Sequence, residues 1–385
     1  MTRHGDRVLF EALLGRRERE VLTDLERGQL SGQRVLITGA GGSIGSELAR
    51  QVAECRPSTL TLVDQSEYNL FTIERELVES HPEVAIEPVL GDVSRQRSIA
   101  HACRVSRPHV VYHAAAYKHV TMVERAIAPA LETNVFGTLY AARAAEAVGA
   151  RFVLVSSDKA AQPESVMGAT KRLAELVSLA LESAAFRPVV VRFGNVLGSS
   201  GSVLEVMLDC IRARKPIPLT HRDATRYFMS VHEAVALVLK ADALGDGGDI
   251  YWLDMGQPVR IKDLAERLLM VTTEAGDAPV PIVEIGLRPG EKLREELTTQ
   301  GLGLCSTPHR RIWKARQPEI DQAQVRRVLR ALRDDIRPGD TMSALADLCA
   351  AVPEYRPSRQ AWDSATSRTV DAVGPAMSWG QERVA

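Results

Sequence analysis

Short apolar runs alternate with longer amphipathic stretches from Gln33 to about residue 195. The apolar runs are RVLITGA, TLTLVD, EPVLGD, HVVYHAA, RFVLVSS and PVVVRFGNV, and the amphipathic stretches include SELARQVAEC and NLFTIERELVES. Short buried strands that alternate with helices of roughly 10 to 15 residues indicate βαβ units. The pattern therefore predicts an α/β fold with a doubly wound parallel sheet.

The regularity of this pattern changes along the chain and divides it into four segments. Residues 1–31 carry a leucine-rich apolar stripe and predict an N-terminal helical segment. Residues 32–195 hold the alternating pattern, whereas residues 196–320 are richer in glycine and proline and predict a smaller α/β lobe, interleaved with returns to the sheet. Residues 321–385 predict a C-terminal helix and then a mobile tail, because the end of the chain is polar and rich in turn formers.

Charge and composition exclude several classes of function. The 385 residues include 48 Lys plus Arg and 49 Asp plus Glu, a net charge of −1, which argues against nucleic-acid binding through bulk electrostatics. No apolar run reaches the roughly 18 residues of a membrane-spanning helix. The 5 cysteines are scattered and odd in number, so we expect neither disulfides nor a metal site, and a cytoplasmic location: Cys55, Cys103, Cys210, Cys305 and Cys349.

A glycine-rich segment follows the first predicted strand and opens the first predicted helix. In TGAGGSIG, Gly39, Gly42 and Gly45 are spaced three residues apart, which permits a tight turn and a close approach of a pyrophosphate to the backbone. Asp64 ends the next strand, where its carboxylate can accept hydrogen bonds from adenosine ribose hydroxyls. The other interpretation is a glycine-rich turn with a capping aspartate. The context favours a Rossmann-type dinucleotide site.

Further residues at strand ends complete the predicted cofactor site. No basic residue follows Asp64 directly, so NAD is favoured over NADP. Asp92 ends the third strand near the expected adenine position, and the alanines that end the fourth strand let the chain pass close to the cofactor. The remaining predicted cofactor contacts are Ser43, Ile44, Val93, Ala114, Ala115 and Ala116.

This region resembles the extended short-chain dehydrogenase/reductase superfamily. TGAGGSIG, the strand end at Asp64, HAAAYKHV, TNV at 133–135 and Lys171 occur in the order expected for that superfamily. The resemblance implies that Asn134 and Lys171 contribute to the cofactor site, with Lys171 holding the nicotinamide ribose.

The catalytic motif departs from the superfamily pattern. The usual set is Ser or Thr followed by Tyr-x-x-x-Lys, but Met167 stands where the tyrosine is expected, four residues before Lys171. Methionine cannot carry a proton, so tyrosine-based alcohol oxidation is excluded. Asp158 and Lys159 instead follow a predicted strand, preceded by Ser157. An inactive relative with a packed methionine and a surface charge pair are the less favoured alternatives.

The combination of motifs is similar to the UDP-N-acetylglucosamine 4,6-dehydratases, in particular the configuration-retaining branch. The motifs are LLGRRE, SSDKA, VMGATKR, RFGNVLGSSGSV, TRYFMS and RPGEKLREEL, and the resemblance covers roughly residues 9–300. It implies an NAD-dependent hydro-lyase of polysaccharide biosynthesis. In many relatives the first motif follows a membrane region, which we do not expect here.

The chemistry of a sugar 4,6-dehydratase supports this interpretation. Oxidation at C4 acidifies the proton at C5, after which the C6 hydroxyl leaves and hydride returns to C6. The enzyme needs a base for C5 and an acid for O6, and Lys159 and Asp158 meet these needs. Ionised Asp158 would accept the O4 proton, directly or through Ser157, and pass it to O6. We expect burial to bring the pKa of Lys159 towards neutrality, and Met167 to pack against the sugar or the nicotinamide.

Polar residues downstream are candidates for the substrate site. The resemblance implies that Asn195 contacts the nucleotide-sugar phosphates or backbone. Ser200 and Ser202 suit hydrogen bonding to an oxyanion, and Glu291 suits the uridine ribose hydroxyls. Arg226, Arg288 and Lys292 are candidates to neutralise the diphosphate, and Tyr117, Lys118 and His119 to line the sugar pocket. The alternative for each charged residue is a solvated side chain.

Three functions stay open beside the UDP-N-acetylglucosamine 4,6-dehydratase. They are a UDP-sugar 5,6-dehydratase, a C4 epimerase and a non-catalytic NAD-binding protein. An epimerase normally needs the tyrosine that Met167 replaces. We expect a UDP-sugar as ligand and a homo-oligomer, since relatives on this scaffold commonly associate.

Overall fold

A computed structural model describes residues 10–16, 22–245, 247–273, 280–295, 303–315, 320–336 and 339–371. The strands are β1 Arg34–Thr38, β2 Thr59–Asp64, β3 Ala85–Leu90, β4 Val110–His113, β5 Arg151–Val155, β6 Val189–Arg192, β7 Asn195–Leu197, β8 Ile217–Leu219, β9 Thr225–Arg226, β10 Phe228–Ser230, β11 Asp249–Leu253, β12 Val259–Arg260, β13 Ile282–Glu284, β14 Leu304–Ser306 and β15 Ile312–Ala315.

The helices lie before, between and after these strands. They are α1 Asp24–Gly28, α2 Ser43–Glu54, α3 Glu67–Ser80, α4 Gln96–Ser106, α5 Val120–Val123, α6 Ile127–Ala130, α7 Gly137–Ala147, α8 Val166–Leu179, α9 Val203–Arg212, α10 Val231–Leu244, α11 Ile261–Thr272, α12 Gln322–Ile336, α13 Thr341–Ala351 and α14 Arg359–Asp371. A π-helix spans Leu131–Phe136 and a 3-10 turn spans Asp158–Ala160.

A nine-stranded sheet forms the centre of the molecule, in the order β14-β15-β11-β6-β5-β4-β1-β2-β3. Pairing from β3 across to β11 is parallel, and β15 and β14 then add antiparallel. The strand order reverses between β1 and β4, which opens a crevice at the carboxyl ends of these strands. The predicted α/β, doubly wound Rossmann-type fold is confirmed.

Strand alternation distributes apolar side chains to both faces of the sheet. Val35 and Ile37 of β1 join the cluster that contains α2, α3 and α10, whereas Leu36 joins the cluster that contains α4 and α7. Both faces are covered by helices, which is why the strands read as nearly continuous apolar runs. The sheet is therefore rigid enough to fix the loops at its carboxyl edge.

The second half of the chain divides between the sheet and a separate lobe. The strands β11, β14 and β15 join the central sheet, while β8 pairs with β13 and β9 pairs with β12 outside it. The lobe has its own apolar cluster, built on α9 and α11 and joined by the buried Leu13 of the N-terminal segment. The lobe thus has a core of its own beside the carboxyl edge of the sheet.

The C-terminal region differs from the predicted mobile tail. The helices α12, α13 and α14 pack on α8 and the π-helix through one apolar cluster, to which Leu329, Leu345 and Tyr355 contribute. Residues 359–371, which fall within the predicted tail, are helical, and residues 372–385 lie outside the described part. Within the described residues, the helices all fall short of the length and apolar character that membrane crossing requires.

Candidate functional site

The glycine segment forms a tight turn at the carboxyl end of β1. Gly39 has a φ of +67°, and a Cβ there would lie 2.7 Å from the backbone of Ala115. A Cβ on Gly45, in the first turn of α2, would meet the carbonyl oxygen of Gly39. These positions need glycine to bring strand, turn and helix together, so the free N–H groups that begin α2 are open to a phosphate. This geometry fits a dinucleotide.

Asp64 supports this turn from the end of β2. One carboxylate oxygen accepts from Gly41 N at 2.8 Å and the other from Ser66 N at 2.8 Å. The carboxylate therefore has the capping role that the sequence left as an alternative. It also stands at the strand end where ribose hydroxyls would be held, since a carboxylate has further lone pairs to offer.

The other predicted cofactor residues line the same edge. Asp92 caps its own turn through Ser94 N at 2.9 Å, and Val93 is buried beside Gly137. The N–H of Ala114 donates to the carbonyl of Thr38, at the start of the stretch that ends with Ala116. Ser43 and Ile44 begin α2.

Asn134 has a different task from the predicted cofactor contact. Its side-chain oxygen accepts from Tyr117 N at 2.8 Å, and its amide nitrogen donates to Tyr117 O at 3.1 Å and Thr170 Oγ1 at 3.0 Å. Both amide protons are thus donated to protein groups, and the side chain is fully buried. Asn134 in the π-helix ties the segment after β4 to α8, so we correct its assignment from cofactor contact to positioning residue.

A cavity of about 270 Å³ opens between the carboxyl ends of β4, β5 and β6 and the lobe. Its walls carry more basic than acidic side chains, which suits an anionic ligand. The lining residues are Lys118, His119, Val120, Thr121, Lys159, Glu164, Ser165, Asn195, Gly201, Val203, Arg226, Arg288, Gly290, Glu291, Lys292 and Glu295.

Lys159 lies in the wall of this cavity with three acceptors around its ammonium group. Its Nζ lies 3.0 Å from Asp158 Oδ1, 3.1 Å from Asn195 Oδ1 and 3.2 Å from Glu295 Oε1. The 3-10 turn after β5 exposes Lys159 and leaves Asp158 behind it, 2 % exposed. Asp158 Oδ1 also accepts from Ser157 Oγ at 2.9 Å, while Oδ2 is buried with no hydrogen-bond partner in the described chain.

The electrostatics of this cluster correct one expectation. Burial lowers the pKa of Lys159, but the carboxylates of Asp158 and Glu295 outweigh burial and raise that pKa above its usual value. The expected fall towards neutrality is therefore not found in this arrangement. For Asp158, burial raises the pKa, so its protonated form is favoured relative to an exposed aspartate.

Glu295 is the site residue that sequence reasoning missed. It is 9 % exposed, lines the cavity, and contacts both Lys159 and the guanidinium of Arg226, the latter at 3.5 Å. Its only signal in the sequence was its place in the RPGEKLREEL motif, which contains several glutamates. Distance along the chain concealed its partner, because Glu295 and Lys159 belong to different halves of the protein.

Met167 and Lys171 both lie on α8, and both side chains are buried. Met167 is 4 % exposed and belongs to the apolar cluster beneath the C-terminal helices, so it packs against protein. Lys171 Nζ donates to Val155 O at 2.7 Å, and burial lowers its pKa to about 8. Met167 was predicted to pack against the sugar or the nicotinamide, but in the structure it packs in the core.

Two predicted substrate residues are occupied by protein contacts. Arg226 donates to the carbonyls of Thr225 at 2.8 Å and Lys292 at 2.6 Å and also contacts Glu291, so it clamps the segment 288–295 against the cavity. Glu291 also accepts from Thr220 Oγ1 at 3.0 Å. Arg226 lines the cavity as well, so its predicted contact with the diphosphate stays a prediction beside these protein contacts.

Asn195 lines the cavity, where its side-chain oxygen accepts from Lys159 and thereby orients the lysine. Lys118, His119, Arg288 and Lys292 do line the cavity. Lys292 also lies 3.5 Å from Glu164, and burial lowers the pKa of Lys118. These basic residues are the ones that the structure leaves best placed for an anion.

The loop before α9 meets the glycine turn. Ser200 N donates to Ser43 Oγ at 2.9 Å, and the two hydroxyl oxygens lie 3.1 Å apart. Ser202 precedes α9, and its Oγ is buried with no partner in the part of the chain described here. This loop links the lobe to the predicted pyrophosphate position. Across the described ranges, no group of three or more His, Cys, Asp or Glu side chains is arranged to hold a metal ion.

Comparison with known proteins places the chain among proteins of polysaccharide biosynthesis. It is 42% identical over 295 residues to the capsular polysaccharide biosynthesis protein CapD of Staphylococcus aureus, covering 76% of this chain and 49% of CapD. It is 43% identical over 302 residues to the probable polysaccharide biosynthesis protein EpsC of Bacillus subtilis, covering 75% of this chain and 49% of EpsC. The chain thus spans about half the length of these two relatives.

A solved structure and a family profile agree with these relatives. The X-ray structure of Pen from Bacillus thuringiensis superposes with a TM-score of 0.68 and 29% identity, covering 78% of this chain and 98% of Pen. The profile of the family described as polysaccharide biosynthesis protein matches residues 35–317, which include the glycine turn, Asp158, Lys159 and the cavity-lining segment 288–295. The chain therefore belongs to the polysaccharide biosynthesis protein family, built on the extended short-chain dehydrogenase/reductase fold.

Proposed function

We propose that the chain is an NAD-dependent UDP-N-acetylglucosamine 4,6-dehydratase, which forms the UDP-4-keto-6-deoxy sugar. The observation that carries the proposal is the adjacent pair Asp158 and Lys159 at the end of β5, with Lys159 in the wall of a basic cavity. A redox-neutral dehydration needs such an acid and base side by side, next to a dinucleotide site. A C4 epimerase is disfavoured because Met167 carries no proton.

The glycine turn, Asp64 and Lys171 would hold NAD, with Asp64 at the adenosine ribose. When bound, NAD supplies hydride acceptance at C4 and hydride return at C6. Lys118, Arg288 and Lys292 would hold the UDP diphosphate at the cavity, where remote binding energy orients the hexose.

The proton path begins at O4 and ends at O6. Ser157 Oγ donates to Asp158 Oδ1 at 2.9 Å, so it would relay the O4 proton to the Asp158 carboxylate. Asp158 would then give that proton to the departing O6 hydroxyl, which leaves as water. The raised pKa of Asp158 favours the protonated form that this second step requires.

Lys159 would take the C5 proton and return it to C5 on the same face, which retains the configuration. In the arrangement seen here it donates to three acceptors, so it must first lose a proton to act as a base. The positive charge of the oxidised nicotinamide and the departure of one acceptor when substrate enters would both lower its pKa.

Incubation of the protein with UDP-N-acetylglucosamine in deuterated water tests this proposal. We expect a product that has lost one water, carries a C4 ketone and holds solvent deuterium at C5 with retained configuration, as seen by mass spectrometry and NMR. Lys159→Ala should abolish deuterium incorporation, with Lys314→Ala, a half-exposed lysine on β15, as the control. Inversion at C5, or undiminished activity of Lys159→Ala, would contradict the assignment of the base.

A further inference from the structure

Glu124 is a fully buried carboxylate that belongs to none of the groups used so far. It follows α5, beside the cavity-lining residues Val120 and Thr121. Burial of a carboxylate is costly unless donors compensate it. Glu124 has two such donors, which come from parts of the chain that are far apart in sequence.

The first donor is the backbone of the helix that carries Met167 and Lys171. Glu124 Oε1 accepts from Val166 N at 2.7 Å. Val166 is the first residue of α8, and such first N–H groups have no partner within their own helix. Ser165, which caps the same helix end, lines the cavity. Glu124 therefore fixes the end of α8 at the wall of the site.

The second donor comes from the C-terminal helices. Ser358 Oγ donates to Glu124 Oε2 at 2.6 Å and also accepts from Ala361 N at 3.1 Å at the start of α14. The helices α12 to α14 lie beyond residue 317, where the family profile ends. They bury Tyr355 completely in the cluster that holds Met167.

A third segment abuts the same carboxylate. Gly290 lines the cavity with a φ of +73°, and a Cβ there would lie 3.2 Å from Glu124 Oε1 and 2.9 Å from the Ser165 side chain. Glu124 thus lies close to two segments that line the cavity, the end of α8 and the segment around Gly290. Movement of its carboxylate would displace the end of α8 and the segment around Gly290 together.

We infer that Glu124 is a positioning residue through which the C-terminal helices hold the candidate active site in shape. The Ser358–Glu124–Val166 hydrogen bonds make α12 to α14 a part of the site, although none of the described residues of these helices lines the cavity. The inference rests on the cavity being the active site, but not on which UDP-sugar reaction occurs there.

Hydrogen exchange in full-length Ser358→Ala tests the coupling without any substrate. We expect the amides of residues 164–170 to exchange about tenfold faster, because a hydrogen bond to a charged group restrains the carboxylate that holds Val166. Ser358→Thr keeps the hydroxyl and should restore protection. Asp340→Ala, which removes the cap of α13 and does not touch Glu124, is the matched control and should leave these amides unchanged.

The kinetics of UDP-N-acetylglucosamine turnover distinguish a positioning role of the Ser358–Glu124 contact from a purely structural one. We expect kcat to fall about tenfold in Ser358→Ala with a KM close to that of the wild type, and Asp340→Ala to keep the wild-type kcat. Unchanged exchange at 164–170 would overturn the coupling, and faster exchange with unchanged kcat and KM would overturn the positioning role. If the wild type does not turn this sugar over, the proposed function fails, while exchange still decides the coupling.

Discussion

Glu295→Gln isolates the electrostatic effect of the glutamate that sequence reasoning missed. The substitution keeps the shape of the side chain and an oxygen for Lys159, but removes a charge 3.2 Å from Nζ. At an effective dielectric constant of about 20, two unit charges at that distance interact by about 5 kcal/mol. This value is a ceiling, because Arg226 also contacts the same carboxylate and shares its charge.

An opposite charge at such a distance shifts a pKa by about 1 to 3 pH units. We therefore expect the pKa of Lys159 to fall by that amount in Glu295→Gln, and the acidic limb of the kcat/KM profile to move to lower pH equally. The Lys159 side chain is 22% exposed, so trace acetylation over a pH series, read by mass spectrometry, reports its titration directly.

Glu291→Gln is the matched control, because Glu291 lies on the same segment and contacts Arg226 and Thr220. It should leave the titration of Lys159 close to that of the wild type. The same acetylation profile in wild type and Glu295→Gln would refute the view that Glu295 keeps Lys159 protonated. If the acetylation profile of Lys159 shifts but the acidic limb of the kcat/KM profile does not, Lys159 is not the base.

Three further perturbations test other parts of the structure. Asp64→Ala should weaken NAD binding by at least about tenfold in calorimetry, and unchanged affinity would contradict the cofactor placement. Arg192→Met breaks a buried pair with Glu175, whose Oε1 lies 2.7 Å from Arg192 Nε. This substitution should lower the free energy of unfolding, measured in urea, by about 3–5 kcal/mol. The control Lys314→Met, at a half-exposed lysine, should lower it by about 1 kcal/mol or less. Burial lowers the pKa of Lys171 from 10.5 to about 8, so the unfolded chain keeps this proton at pH values where the folded chain has lost it. The free energy of unfolding should therefore increase as the pH rises from about 8 to 10.5. In Lys171→Met about 3 kcal/mol of that rise should be absent.

Local patterns in the sequence were sufficient for the fold and the glycine turn. Strand alternation and the spacing of Gly39, Gly42 and Gly45 depend on neighbours in the chain, and the structure places these glycines as the pattern indicates. The predicted C-terminal helix corresponds to α12, on which Val325, Leu329 and Leu332 are buried.

Contacts between distant segments could not be read from the sequence. The residue type of Arg226 is equally suited to a diphosphate or to backbone carbonyls, and only the fold shows that the carbonyls of 292 and 293 take it. The raised pKa of Lys159 likewise depends on a contact between distant segments, that with Glu295. Apolar positions are sparse after residue 352, which is typical of a tail. In the structure, however, Tyr355 is buried in an apolar cluster formed mainly by other elements.

The contact between Ser200 and Ser43 has a kinetic consequence. A loop of the lobe is hydrogen-bonded to the first residue of α2, at the place proposed for the pyrophosphate. We therefore expect a dinucleotide bound there to leave only after this loop parts from the turn. A catalyst that regenerates its own oxidant has no need to exchange it between cycles. In the proposed reaction the dinucleotide would stay resident over many turnovers, and sugar nucleotides alone would enter and leave.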